Sequence, residues 1–382
     1  MGKYLFFFIL ISGFLITSSC DDEYNFATDN LATNNEVNTE LAVPIIDASF
    51  SLEDYIPKDS NSYFLVDDEH FMTLVFEYLL KEVPAPDFFS GVYSGTLASI
   101  TYDIPEQSFK LGNDRAVSND EFYIKDPLIS ITITNFWDIP AQFQLVNFKY
   151  YNAANPLGLP ITGSFVSAWH DIKRPVSPAL YADTVYFMDN SNSNLDEVIS
   201  AMPTHLTSAA VIQTNPGSPY NVSSTTTDTV RMKIELPLDI RIGNLVMLDT
   251  LDFKGGKDLA GDTSKFESMF MNLVFENGFP IDINALIILA DSNYNHLDTI
   301  LTEPEKEPIT IPSGIVSAGK VIAPNKFTMM NIEADKGVIV NTAYLLTNFT
   351  FDTYNNQLGE TVKIYSDYAI GFKVGVRIKL KI

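Results

Sequence analysis

Apolar and polar residues alternate with a period of two along most of the chain. This is the pattern of half-buried strands. It is plain in Leu128–Thr134 (LISITIT) and Thr229–Leu236, and clearest at the end of the chain. There Ile370, Phe372, Val374, Val376, Ile378, Leu380 and Ile382 fall on one face, opposite Lys373, Arg377, Lys379 and Lys381. Further strands are predicted at Tyr63–Val66, Phe71–Leu80, Asp239–Leu248, Met329–Ile332, Gly337–Leu346 and Val362–Tyr365. One segment has helical spacing instead. Leu195, Val198, Ile199 and Met202 lie at i, i+3, i+4 and i+7, after a capping Ser193 or Asn194 and before Pro203. The reading is a mainly β protein of antiparallel sandwich or curved-sheet domains with one or two short helices.

Two stretches share a pattern. Ile129–Val146 and Met271–Leu289 each hold an alternating strand, an Asn (Asn135, Asn277), a short aromatic turn with Pro (Pro140, Pro280) and a second strand. Asn suits tight turns and Pro fixes φ, so each reads as a hairpin. Two such units point to a duplicated β unit. The expected division is residues 44–190 and 191–382, the latter carrying the helix near 194–202.

The first twenty residues follow neither period. Lys3 precedes an apolar run from Tyr4 to Ile16, then Thr17, Ser18, Ser19 and Cys20. Such a run is too short to span a bilayer and has the layout of a signal peptide, residues 1–19. Cys20 is the single cysteine of the chain, so no disulfide framework competes for it. The segment resembles the lipobox of bacterial lipoproteins, with Thr17 where Leu or Val is usual. Asp21, Asp22 and Glu23 resemble the acidic export signal of Bacteroidetes surface lipoproteins. These resemblances imply acylation of Cys20 and an outer-membrane, surface-displayed location. Residues 20–43 then read as the acylated cysteine and a polar tether. Pro44–Tyr55, Asn194–Pro216 and Val362–Ile382 are similar to uncharacterised Bacteroidetes lipoproteins, a likeness that carries no activity.

Charge narrows the partners. Forty-eight acidic residues against twenty-four basic ones give a net charge of −24, and losing Lys3 with the leader deepens it by one. Such a surface repels phosphate backbones and anionic lipid heads, which excludes nucleic acid and any basic route to a membrane.

Candidate chemistry is sparse. The four His are scattered, with no zinc spacing. No nucleophile elbow, phosphate loop or dinucleotide fingerprint occurs, so no catalytic residue and no cofactor is assigned. Asp291, Asn293, Asn295 and Asp298 place oxygens at alternate positions, a weak calcium pattern whose bland alternative is a polar turn. Asp189, Ser191, Ser193 and Asp196 show a similar spacing, with a helix cap as the alternative. Four Asp-Thr-aliphatic triplets resemble the Bacteroidetes O-glycosylation sequon, which would place sugar on Thr184, Thr229, Thr250 and Thr299.

The expectation is a lipid-anchored, non-enzymatic binding or accessory protein that meets a protein or ligand partner. Two alternatives are a lipid or amphiphile carrier with a tubular lipid-binding-like fold, and a surface glycan hydrolase.

Overall fold

The computed structural model describes residues 40–51, 61–84, 93–96, 100–111, 121–176, 179–214, 219–222, 227–252, 266–300, 307–317, 319–334 and 336–380. Cys20 and Asp21–Glu23 lie outside the described residues. The chain divides into two units. An N-terminal unit takes the described residues of 56–116 and 122–240. A C-terminal unit takes those of 1–55, 117–121 and 241–382. The expected boundary after residue 190 is therefore replaced by one at 240. Residues 40–43, read as tether, belong to strand β1 (Glu40–Ser51), which pairs with the last strand of the chain.

In the N-terminal unit the chain runs through β2 (Ser62–Val66), β3 (Met72–Pro84), β4 (Tyr93–Thr96), β5 (Thr101–Lys110), β6 (Glu121–Ile124), β7 (Leu128–Asn135) and β8 (Ala141–Asn152). It continues through β9 (Asn155–Pro160), α1 (Ser164–Ser167), β10 (His170–Ile172), β11 (Ala182–Met188), α2 (Leu195–Ser200), β12 (His205–Thr214), β13 (Pro219–Val222) and β14 (Thr227–Pro237). One sheet has the order β11-β7-β14-β3-β2 and the other β10-β8-β12-β5, with β9 added to β8. Their inner faces meet: Val83, Ile133 and Val230 from the first sheet line the same space as Ile172 and Ile212 from the second. This is a two-sheet sandwich, held by alternating residues such as Ile129, Ile131 and Ile133, all buried.

The C-terminal unit continues through β15 (Asp239–Gly243), β16 (Leu245–Asp252), β17 (Phe266–Asn277), β18 (Ile281–Ala290), β19 (His296–Ile300), β20 (Ile309–Ile311), β21 (Ile315–Ser317) and β22 (Lys320–Ala323). It ends with β23 (Asn325–Ala334), α3 (Lys336–Asn341), β24 (Tyr344–Thr353), β25 (Val362–Lys363) and β26 (Ala369–Leu380). Its sheets have the orders β23-β17-β26-β1 and β19-β18-β24-β16, with β20 added to β18.

The two orders correspond strand for strand, except that β2 has no counterpart. β11, β7, β14 and β3 correspond to β23, β17, β26 and β1; β8, β12 and β5 correspond to β18, β24 and β16. β9 and β10 lie on β8 as β19 and β20 lie on β18, and α2 and α3 each precede the matching strand. The duplicated unit read from two stretches thus extends over a whole sandwich.

The shared stretches are not hairpins. β7 and β8 lie in different sheets, as do β17 and β18, so each turn is an arch that carries the chain across the core. The Asn is its pivot. Asn135 Oδ1 accepts the Trp137 N–H at 2.8 Å and its Nδ2 donates to Lys173 O at 2.9 Å. Asn277 Oδ1 accepts the Phe279 N–H at 2.9 Å and its Nδ2 donates to Pro312 O at 3.0 Å. Lys173 and Pro312 each directly follow the short strand, β10 or β20, that edges the second sheet. Both Asn are buried, and neither has the positive φ expected of a hairpin Asn. A second device is also doubled. Thr214 Oγ1 accepts the Ile100 N–H at 2.8 Å and donates to Ile100 O at 3.3 Å. Thr353 Oγ1 does the same for Ile242, at 3.0 and 3.2 Å.

Three local expectations change. Asp239–Leu248 is two strands, broken where Asn244 takes φ 53°. Of the strand expected over Gly337–Leu346, the residues up to Asn341 belong instead to α3, and β24 begins at Tyr344. The helix occupies the place α2 fills in the first unit, so tertiary position overrides propensity. Asn194 stands at the N-cap of α2 but makes no cap with its side chain. Its Oδ1 instead accepts the Thr162 N–H at 2.9 Å, while Asn190 Oδ1 takes the Asp196 N–H at 3.0 Å. The long final strand, β26, is central in its sheet, paired with β1 on one side and β17 on the other.

Candidate functional site

The first unit departs from the second at its arch. Residues 136–140 leave β7, cross between the sheets and enter β8. Trp137 and Ile139 turn inward and are buried with Val83, while Phe136 and Tyr102 pack against them. Asp138 turns outward and pairs with Arg174 at 3.6 Å, across exposed surface where such a pair contributes little. Beneath the arch lies a cavity of about 20 Å³, room for one water-sized group. Trp137, Asn135, Thr214 and Asp228 are in its wall, among Ile133, Ile172 and Ile212.

Asp228 is the single ionisable residue lining that cavity. It is 9% exposed, and its Oδ1 accepts the Phe136 N–H at 2.8 Å. Removal from water pushes its carboxyl up to about 7; the Phe136 N–H, which favours the charged form, offsets this only in part. Asp228 lies one position beyond the Thr229–Thr134 pair, opposite Asn135. The matching position of the second unit, opposite Asn277, is Ile370. Trp137 is matched by Phe279, which meets Tyr368 edge to face with ring centroids 5.8 Å apart. There the N–H after the pivot Asn, that of Gly278, goes to a main-chain acceptor, Ala369 O, at 2.9 Å. A Cβ at Gly278 would stand 2.6 Å from that oxygen, which accounts for glycine there.

The arch continues into an apolar rim. Phe136 packs against Tyr181 with tilted rings, centroids 5.5 Å apart. Tyr181, Leu180 and Val176 are exposed, and the chain then enters β11. β11 is the edge strand of its sheet. Its outward face carries Asp183, Val185 (44% exposed) and Phe187 (54% exposed). At the matching edge, β23, residue for residue from the pivot Asn, Lys326 replaces Asp183 and Thr328 replaces Val185. Charged and polar residues protect an edge from strand addition; Val and Phe leave it receptive.

The sequence-predicted sites fare differently. At Asp291–Asp298, Asp291 Oδ1 accepts the N–H groups of Asn293 and Asn295 at 2.8 and 2.9 Å, and its Oδ2 accepts Asn295 Nδ2 at 2.9 Å. Those bonds, led by the Asn295 amide, hold the Asp291 carboxyl below its ordinary range. Asp298 Oδ1 takes the Thr299 N–H. Asp291 and Asp298 thus turn carboxylate oxygens to N–H groups of their own loop. Asp189 likewise binds Ser191 through N–H and hydroxyl, at 2.8 and 2.6 Å. Among the described residues no group of three or more His, Cys, Asp or Glu gathers in metal-holding geometry. Thr250 is exposed and Thr229 and Thr299 are half-buried. Thr184 is only 3% exposed and its Oγ1 accepts the Lys173 N–H at 2.9 Å, so the folded unit leaves no room for sugar there. Asp228 entered the sequence reading only as the start of a triplet; its burial is set by strands far away in the chain and leaves no local signal.

No family model matches the chain, and no curated protein does. Among solved structures, a candidate secreted protein from Parabacteroides distasonis ATCC 8503 is similar at 12% identity, over 89% of this chain and 99% of that one, with a TM-score of 0.43. A structure of infectious bursal disease virus, Gx strain, is similar at 9% identity, over 85% of this chain and 72% of that one, with a TM-score of 0.19. Superposition this loose transfers neither a site nor an activity.

Proposed function

We propose that the chain is a non-enzymatic binding protein, lipid-anchored through Cys20 and displayed at the outer membrane, whose N-terminal unit receives an extended strand of a protein partner along β11. One observation carries the binding reading. Of two matched edges, β23 is polar at the positions where β11 offers Val185, and β11 adds an exposed Phe187. Strand addition draws affinity from main-chain hydrogen bonds and specificity from alternate side chains, and β11 has both to offer. The apolar run before Cys20 and the acidic residues after it support the location.

The test is capture of partners from membranes solubilised in mild detergent, using the acylated protein and a Val185→Lys/Phe187→Lys variant. Lysines on an edge oppose strand addition and leave the outward face solvated. The wild type should retain a discrete partner that the variant releases, with both melting alike. Equal retention by the two proteins would refute the site.

A further inference from the structure

The hollow arch asks for a guest of particular chemistry. Its one charged wall group is Asp228, nine-tenths buried, and the hydrogen bond it receives comes from the Phe136 N–H. No ion pair among the described residues includes it. A buried carboxylate without a counter-charge is costly, and a cation that enters beside it removes that cost. The fold itself does not require a carboxyl there, because the matched arch is built with Ile370 in the same strand position. It also does not need a carboxylate to hold the N–H after the pivot, since Ala369 O serves Gly278. The first arch therefore keeps a charged group where the second has Ile370.

We propose that the arch of the N-terminal unit is a binding site for one ammonium ion, held by Asp228 beside Trp137. The space fits one water-sized group, and ammonium has that size. The wall is wrong for calcium or magnesium, which need six or more oxygens or a retained water shell. A carboxylate supplies charge and hydrogen-bond acceptors for N–H donors. Anions are excluded by Asp228 itself. Because the guest binds the charged carboxylate, occupancy rises with pH and draws the carboxyl downward. No other charged group lines the cavity from β3, β7, β8, β10, β12 or β14. This site is separate from β11, so either reading can fail while the other stands.

The chain has two tryptophans, Trp137 and Trp169, so Trp169→Phe leaves Trp137 as the reporter. The full chain is titrated with ammonium chloride at pH 8, at ionic strength held constant with sodium chloride. A saturable change in Trp137 fluorescence is expected, weakened at least tenfold at pH 5 and lost in Asp228→Asn and Asp228→Ile. The second variant copies the matched arch. Independently of any variant, carbon-13 NMR of the Asp228 carboxyl should show its midpoint moved down by ammonium and unmoved by sodium. An absent or unsaturable response, a response surviving in both variants, or an equal response to potassium chloride would each overturn the assignment.

Discussion

Replacing Asp228 by Asn should stabilise the N-terminal unit at neutral and alkaline pH and leave it unchanged in acid. Folding raises the carboxyl from its ordinary 3.8 to about 7. A group raised on folding favours the folded state while it is protonated. The associated stability is fully present below about pH 4, falls as pH rises towards 7, and is gone above that. A rise of about three pH units corresponds to roughly 4 kcal/mol, an order-of-magnitude figure for a group this buried. Asn keeps an oxygen for the Phe136 N–H and carries no charge, so its stability lacks this slope. Both tryptophans lie in the N-terminal unit, so urea unfolding followed by fluorescence reports that unit alone. Run from pH 4 to pH 9 in sodium buffers free of amines, the difference between variant and wild type should start near zero. It should climb between about pH 4 and 7 and level off at a few kcal/mol in favour of the variant. Subtracting the two proteins removes the contribution of the other acidic residues. A difference curve flat with pH, or one that falls, would refute the reasoning.

The duplicated pivots should respond alike: Asn135→Ala and Asn277→Ala each strip a buried N–H and carbonyl of their partners, at about 2–4 kcal/mol in urea unfolding of the respective unit. Thr214→Val and Thr353→Val remove one hydroxyl clasp apiece and should each cost about 1–2 kcal/mol by the same measurement. Gly278→Ala forces a Cβ to within 2.6 Å of Ala369 O and should lower the melting temperature of the C-terminal unit, whereas alanine at the open Gly319 costs only its positive-φ strain. Calcium should leave thermal unfolding unmoved by way of the Asp291 loop, measured by comparing wild type with Asp291→Ala with and without the ion.

How much of this the sequence disclosed depends on the range of the interaction. Alternation along Leu128–Thr134 and Ile370–Leu380 gave strands because one face of each is buried, and that face writes a period of two into the chain. The motif around Asn135 and Asn277 was visible because the accepting side chain and the N–H that donates to it lie two residues apart. Its meaning was not: a hairpin and an arch use the same turn residues, and only the strand partners, set by distant segments, tell them apart. α3 was hidden because Gly337, Val338, Ile339 and Val340 lack helical preference and take their form from their place in the sandwich. Asp228 was hidden for a related reason, since Val83 and Asn135, which bury it, lie about a hundred residues or more away.

The binding proposal turns on two copies of one sandwich, of which the first carries Val185 and Phe187 exposed on an edge strand. Position 185 and its match, position 328, make the comparison direct, since both are exposed on edge strands at the same distance from the pivot Asn. A photo-crosslinking residue is placed at each in turn, in intact cells bearing the protein. The account predicts a discrete covalent adduct from position 185 and none from position 328. Equal adducts from both, or none from position 185, would contradict it.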